Sequence, residues 1–173
     1  MKKDQKYILI AAQRGLCIRK DENGNSPLHR ACQNGNLKLV QSLVQIGINP
    51  NDRNNFNYTP LLLASYNGHL EIVQYLLSKG SLIEAQTDAG MTPLKLASSK
   101  GHIVIVKCLI TSGANKEASD NSGSTSLMFA SVNSHLEVVK YHISIGVNKD
   151  ATAKNGITPL MAASQTGHLE IAK

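Results

Sequence analysis

Residues 59–73 read Thr59-Pro60-Leu61-Leu62-Leu63-Ala64-Ser65-Tyr66-Asn67-Gly68-His69-Leu70-Glu71-Ile72-Val73, and the phrase returns along the chain at a constant interval. Its opening tetrad recurs as Ser26-Pro27-Leu28-His29, Thr92-Pro93-Leu94-Lys95, Thr125-Ser126-Leu127-Met128 and Thr158-Pro159-Leu160-Met161, 33 residues apart each time. A fixed period of this length is read before any single residue, because it means that one supersecondary unit is being stacked. The units start at residues 21, 54, 87, 120 and 153.

Twelve of the 13 glycines keep the same period and fall into three columns. Gly24, Gly90, Gly123 and Gly156 make the first, and Asn57 takes its remaining place; Asn is the residue that best tolerates a left-handed backbone after glycine, so a turn is expected there. Gly35, Gly68, Gly101 and Gly167 make the second, with Ser134 as its odd member. The third, Gly47, Gly80, Gly113 and Gly146, follows an apolar run, as a helix stop should.

Each unit then reads as helix, turn, helix. The Ser or Thr of the tetrad accepts orphan amides of a helix start, and Pro follows at the first helical position, where its missing N–H costs nothing. After the second glycine, Leu70, Ile72, Val73, Leu76 and Leu77 form one stripe of a second helix. The polar stretch between units, such as Asp120 to Ser124, projects as a loop or hairpin. Helices of about ten residues are marginal alone. A continuous seam through Leu28, Leu61, Leu94, Leu127 and Leu160, with Ala31, Ala64, Ala97, Ala130 and Ala163 allowing close approach, is therefore the expected core.

With its TPLH-type helix start, alanine positions, GHLEIV phrase and closing glycine, the chain resembles the ankyrin repeat family. Asn67-Gly68-His69-Leu70-Glu71-Ile72-Val73 and Gly167-His168-Leu169-Glu170-Ile171 match almost letter for letter, and Gly113-Ala114-Asn115-Lys116-Glu117-Ala118 resembles the long ankyrin arrays of some unicellular eukaryotes. The resemblance implies an all-α, ankyrin-repeat solenoid of stacked helix-turn-helix units with projecting hairpin loops. The repeats are 21–53, 54–86, 87–119, 120–152 and 153–173, the last of them truncated. Residues 1–20 resemble the second helix of a degenerate repeat, with Tyr7, Ile8, Leu9 and Ile10 as its apolar run and Gly15 as its stop, and are expected to cap the array. The tetrad histidine of the family survives only as His29; Leu62, Lys95, Met128 and Met161 stand in its column. At the other end either the array continues past Lys173, or the last helix frays and Val138, Val139 and Ile143 are poorly covered.

Composition narrows function. The 173 residues are 42% apolar and 17% charged, as in a soluble domain. No apolar run of membrane-spanning length and no secretion signal is evident, so a cytoplasmic or nuclear location is expected. Cys17, Cys32 and Cys108 form neither a disulfide framework nor a zinc knuckle, and read as reduced, space-filling residues. The net charge of +6 is concentrated in residues 1–20, and elsewhere acids and bases intersperse. No continuous cationic track results, and nucleic acid is not expected as a partner.

No nucleophile elbow, phosphate loop, zinc-protease helix or dinucleotide fingerprint occurs, so the chain is not expected to be an enzyme or to hold a cofactor. His69, His102, His135 and His168 form a column. Stacked helices lie about 8–10 Å apart whereas zinc needs its nitrogens at about 2.0–2.1 Å, so the column does not converge on a metal.

What the family resemblance implies instead is a protein-binding surface: the variable positions flanking the first glycine and ending the first helix, on the concave side of the stack. Phe56, Tyr58 and Tyr66 are three of only seven aromatic residues, and they fall in those columns. Aromatic residues, Arg and Met dominate interface energetics. Arg53, Phe56, Tyr58, Tyr66, Asn67, Asp88, Met91 and Lys100 are therefore the expected contact residues. The expected function is a non-enzymatic protein–protein interaction module acting as scaffold or inhibitor. The alternative is a recognition segment of a larger enzyme or membrane protein. A monomer is expected, with end-to-end association open through the last repeat.

Overall fold

In the computed structural model, which describes residues 19–172, every 33-residue unit becomes a pair of short helices packed on each other. The first helices are α1 (Pro27–Gln33), α3 (Pro60–Asn67), α5 (Pro93–Ser99), α7 (Ser126–Val132) and α9 (Pro159–Gln165); the second are α2 (Leu37–Gln45), α4 (Leu70–Ser78), α6 (Ile103–Thr111), α8 (Leu136–Ser144) and α10 (Leu169–Ala172). Among the described residues the only β pairing is the isolated bridge Ser119–Thr125 at a hairpin base, so the fold is all-α. No described helix is long and apolar enough to cross a membrane. The N-terminal cap reading and Cys17 lie outside the described residues.

Local chemistry starts the helices as expected. The hydroxyls of Thr59, Thr92, Thr125 and Thr158 accept the amides of Leu62, Lys95, Met128 and Met161, three residues on. Ser26 is capped differently: His29 Nδ1 accepts the Ser26 amide at 3.2 Å and lies 2.8 Å from Ser26 Oγ. Both exceptions in the glycine columns hold the left-handed backbone their places demand, Asn57 at φ 59° and Ser134 at φ 59°. Gly101 shows why most members are glycine. Its φ is +73°, and a Cβ there would stand 2.5 Å from the His135 ring.

The helices form two compact units, one up to Leu82 and the other from Ile83 on. In the first, α1 packs on α3 and α2 on α4; Leu28, Ala31, Leu43, Leu61, Ala64, Val73 and Leu76 are buried between them. In the second, α5, α7 and α9 pack in series and α6 packs on α8; Leu94, Ala97, Leu109, Leu127, Ala130, Val139 and Ala163 are buried. Each such leucine contributes about 1.5–3 kcal/mol when removed from water.

The seam stops one member early. Leu28, Leu61, Leu94 and Leu127 are at most 1% exposed, whereas Leu160 is 54% exposed, because among the described residues no helix pair covers α9 as α9 covers α7. Of the three residues that a frayed last helix would leave poorly covered, only Ile143 is exposed; Val138 and Val139 are buried on α8, which packs on α7 and α10.

The histidine column has a role that composition does not reveal. Within the units His69, His135 and His168 place Nε2 against the carbonyls of Gln33, Ser99 and Val132, 36 residues back, at 3.1, 2.9 and 3.1 Å. A carbonyl can only accept, so each Nε2 carries the proton and staples its repeat to the one before.

Candidate protein-binding surface

In the repeats that open on Asp21, Asn54 and Asp120 the hairpin tip is built by that first residue. Asn54 Oδ1 accepts the amides of Phe56 at 3.0 Å and Tyr58 at 2.8 Å, and Asp120 Oδ1 repeats this with Ser122 and Ser124, both at 2.8 Å. Such Asx turns fix the tip without help from its outward side chains. Successive tips are then joined by backbone bonds: Asn55 N donates to Asn23 O at 3.0 Å, Asn121 N to Ala89 O at 3.1 Å, and Lys154 N to Ser122 O at 2.9 Å.

In the first unit this frame carries Arg53, Phe56, Tyr58, Tyr66 and Asn67. Phe56 stands at the tip, 56% exposed, on backbone held by Asn54 and by the left-handed Asn57. Arg53 is exposed and turns Nη1 onto the Asn57 carbonyl at 3.1 Å. Tyr66, on the last turn of α3, is 38% exposed. Tyr58 is half-buried: burial, and next the neighbouring Tyr66 phenol, push its phenol up from the ordinary tyrosine range. Its carbonyl accepts from His29 Nε2 at 3.0 Å. Asn67 donates Nδ2 to Leu63 O of its own helix at 2.8 Å, so its amide serves α3 first.

In the second unit stand Asp88, Met91 and Lys100. Asp88 is exposed and its carbonyl accepts Asn121 Nδ2 at 2.7 Å; Lys100 is exposed at the end of α5. Met91 is half-buried, its amide on Thr87 Oγ1 at 3.2 Å. The next two repeats hold a small apolar cleft of about 140 Å³ lined by Met128, Phe129, Val132 and Ile157 among others. Val132 and Ile157 fall in the expected columns. Phe129, next to Met128 on α7, lines the cleft half-buried.

Beneath the surface the tetrad column is solved three ways. His29, fully buried, uses both ring nitrogens; burial lowers its pKa and the Tyr58 carbonyl opposes this. Lys95, also fully buried, donates Nζ to Gly90 O at 3.0 Å, with burial lowering its pKa against the pull of Asp120 and Glu84. Leu62 and Met128 simply pack. Buried His142 places Nε2 3.1 Å from Ser98 Oγ and leaves Nδ1 without a partner; burial, with Lys116 adding to it, lowers its pKa to about 4. Burial pushes the Cys32 and Cys108 thiols up, which makes them poor nucleophiles. Among the described residues no cluster of three or more His, Cys, Asp or Glu can hold a metal.

Comparison with known proteins bears on this surface. The family described as "Ankyrin repeats (3 copies)" matches residues 6–87 and 81–152, and "Ankyrin repeat" matches residues 155–173. The 26S proteasome non-ATPase regulatory subunit 10 of Mus musculus is 33% identical over 59 residues, 34% of this chain and 26% of that protein. Its Homo sapiens counterpart is 33% identical over 51 residues, 30% of this chain and 23% of that protein. The matched stretch thus spans about a quarter of the length of these relatives.

Proposed function

Because the chain belongs to the ankyrin repeat family, we propose that it is a non-enzymatic module that binds a protein partner through its hairpin tips and the exposed ends of its first helices, on the concave face expected of such a stack. Ankyrin repeats generally mediate protein–protein interaction, and the similar proteins are named as a non-ATPase regulatory subunit. One observation supports placing the contact in the first unit: Phe56, an aromatic residue 56% exposed, sits on a tip whose backbone is already fixed by Asn54. A rigid aromatic anchor loses little entropy on binding. Arg53 and Tyr66 add a cation and a second ring, with Tyr58 as their half-buried floor; Asp88, Met91 and Lys100 hold the corresponding tip and helix-end positions of the second unit.

The test is retention of proteins from a lysate by the wild type, by a Phe56→Ala, Tyr66→Ala double variant, and by Leu82→Ala as control, since Leu82 is 58% exposed outside these columns. The double variant is expected to weaken capture of the retained protein by about 30-fold, equivalent to about 2 kcal/mol, with the control unchanged. Equal retention by all three, with the fold intact, overturns the assignment.

A further inference from the structure

Four Asn-Gly steps occur in the chain, at Asn23, Asn34, Asn67 and Asn155. The pair is chemically weak, because glycine has no Cβ to keep its amide nitrogen away from the preceding side-chain carbonyl. For the two to close into a succinimide ring, that nitrogen must release its proton and the peptide plane must turn. A hydrogen bond at either end of the peptide resists both. Three of the four steps are held. Gly24 N donates to Asp21 O at 2.8 Å, and Asn23 O accepts the Asn55 amide at 3.0 Å. Asn67 donates Nδ2 to Leu63 O at 2.8 Å, and the Gly68 amide bonds Ala64 O. Gly156 N donates to Ala153 O at 2.9 Å, while Asn155 Oδ1 accepts the Ile157 amide at 3.2 Å.

Asn34 differs. It directly follows α1, with its own amide on Arg30 O at 3.0 Å and its side chain exposed. Among the described residues no acceptor takes the Gly35 amide, no donor reaches the Asn34 carbonyl, and the Asn34 carboxamide has no hydrogen-bond partner. Other glycines of the same column are tied: Gly101 N reaches Ser98 O at 3.2 Å and Gly167 N reaches Ser164 O at 3.1 Å.

We propose that Asn34 is a site of spontaneous deamidation, with water as the co-reactant, and that its product loosens the first repeat. The Gly35 nitrogen attacks Asn34 Cγ; the N–Cγ bond forms as the Cγ–Nδ2 bond breaks, and the amide proton leaves with the side-chain nitrogen as ammonia. Water then opens the ring. Attack at Cγ restores the main chain with an aspartate, whereas attack at the backbone carbonyl carbon routes the chain through the side chain as isoaspartate, lengthened by a methylene. Either product sets a carboxylate at the C-terminal end of α1, where the helix dipole is already negative. The change also falls on the turn that the second repeat grips: His69 Nε2 donates to Gln33 O at 3.1 Å, and a Cβ on Gly35 would stand 2.6 Å from the same ring. Asn34 shares its column with Asn67 and Lys100, so the new charge enters the row of positions in the proposed function; the chemistry holds whether or not that row binds a partner.

The test ages the full chain at neutral pH, folded and in urea, and follows it by tryptic peptide mass mapping. Trypsin places the four asparagines in separate peptides, and each conversion adds about 1 Da. In the folded protein Asn34 is expected to convert about fivefold or more faster than the other three, which must first break a hydrogen bond. In urea, where those bonds are gone, the four rates are expected to fall within about threefold of one another. The aged wild type is expected to lose about 2 °C or more of its thermal midpoint. Asn34→Gln, whose longer side chain closes a ring far more slowly, is expected to lose less than half as much. Conversion of Asn34 no faster than that of the other three in the folded protein, the same lead for Asn34 in urea, or an equal loss of midpoint by the variant overturns the proposal.

Discussion

Leu127 and Leu160 hold the same place in successive repeats, on α7 and α9, yet one is 1% exposed and the other 54%. Both follow a helix start capped by a threonine, and both helices pack on a second helix of their own repeat. What differs is the next helix: α7 has α9 against it. Burial in this molecule is therefore conferred by the neighbour, and a repeat's stability is a property of its interfaces more than of its own sequence.

The largest expected effect breaks or upholds that contrast. Leu94→Ala or Leu127→Ala is expected to cost roughly 2–5 kcal/mol in urea unfolding, the range for a leucine removed from a closed core. Leu160→Ala, already half in water, is expected to cost under about 1 kcal/mol.

Acid sharpens the contrast, because His142 is sealed in an interior interface. Its folded pKa of about 4 lies below the ordinary histidine value of about 6.5, so the unfolded chain takes up the proton first. Stability is then full above about pH 6.5 and is lost as pH falls toward about 4, by about 3 kcal/mol. His29 is shifted in the same direction and adds to the loss. Urea midpoints measured across this range are expected to fall, and His142→Gln is expected to flatten the decline; an unchanged slope in that variant contradicts the assignment.

A smaller effect compares two members of one glycine column. Gly101→Ala forces a side chain onto a φ of +73° and into the His135 ring, and is expected to cost about 2 kcal/mol. Ser134→Gly relieves the same backbone strain and is expected to gain up to about 1 kcal/mol. Thermal melts of the two variants should move in opposite directions.

Much of the fold was legible because it is local. The threonine caps, the proline starts and the left-handed turns at Asn57 and Ser134 depend on residues within a few positions of each other, and the period multiplied each signal. Contacts made 29–44 residues away were not legible. Neither the His69-type staples nor His142 on Ser98 has a spacing rule, since each needs one repeat laid on another. For the same reason the leucine seam was read through to Leu160, although a column pattern does not say which member lacks a neighbour. Of the contact residues, Phe56, Arg53, Tyr66, Asp88 and Lys100 reach solvent, whereas Tyr58 and Met91 sink to half-burial and Asn67 bonds its own helix. A column fixes the place of a Cα; the side chain's exposure depends on how the tip and helix end meet.

The most direct measurement of the central claim is native-state hydrogen exchange at Val138 and Ile171. Their amides make the same bond, to the carbonyls of His135 and His168, at the same 3.0 Å, and differ in the neighbours behind them. If interfaces between repeats carry the stability, Val138 exchanges about a hundredfold or more slowly than Ile171 after correction for intrinsic chemistry. Equal protection at the two amides contradicts the account.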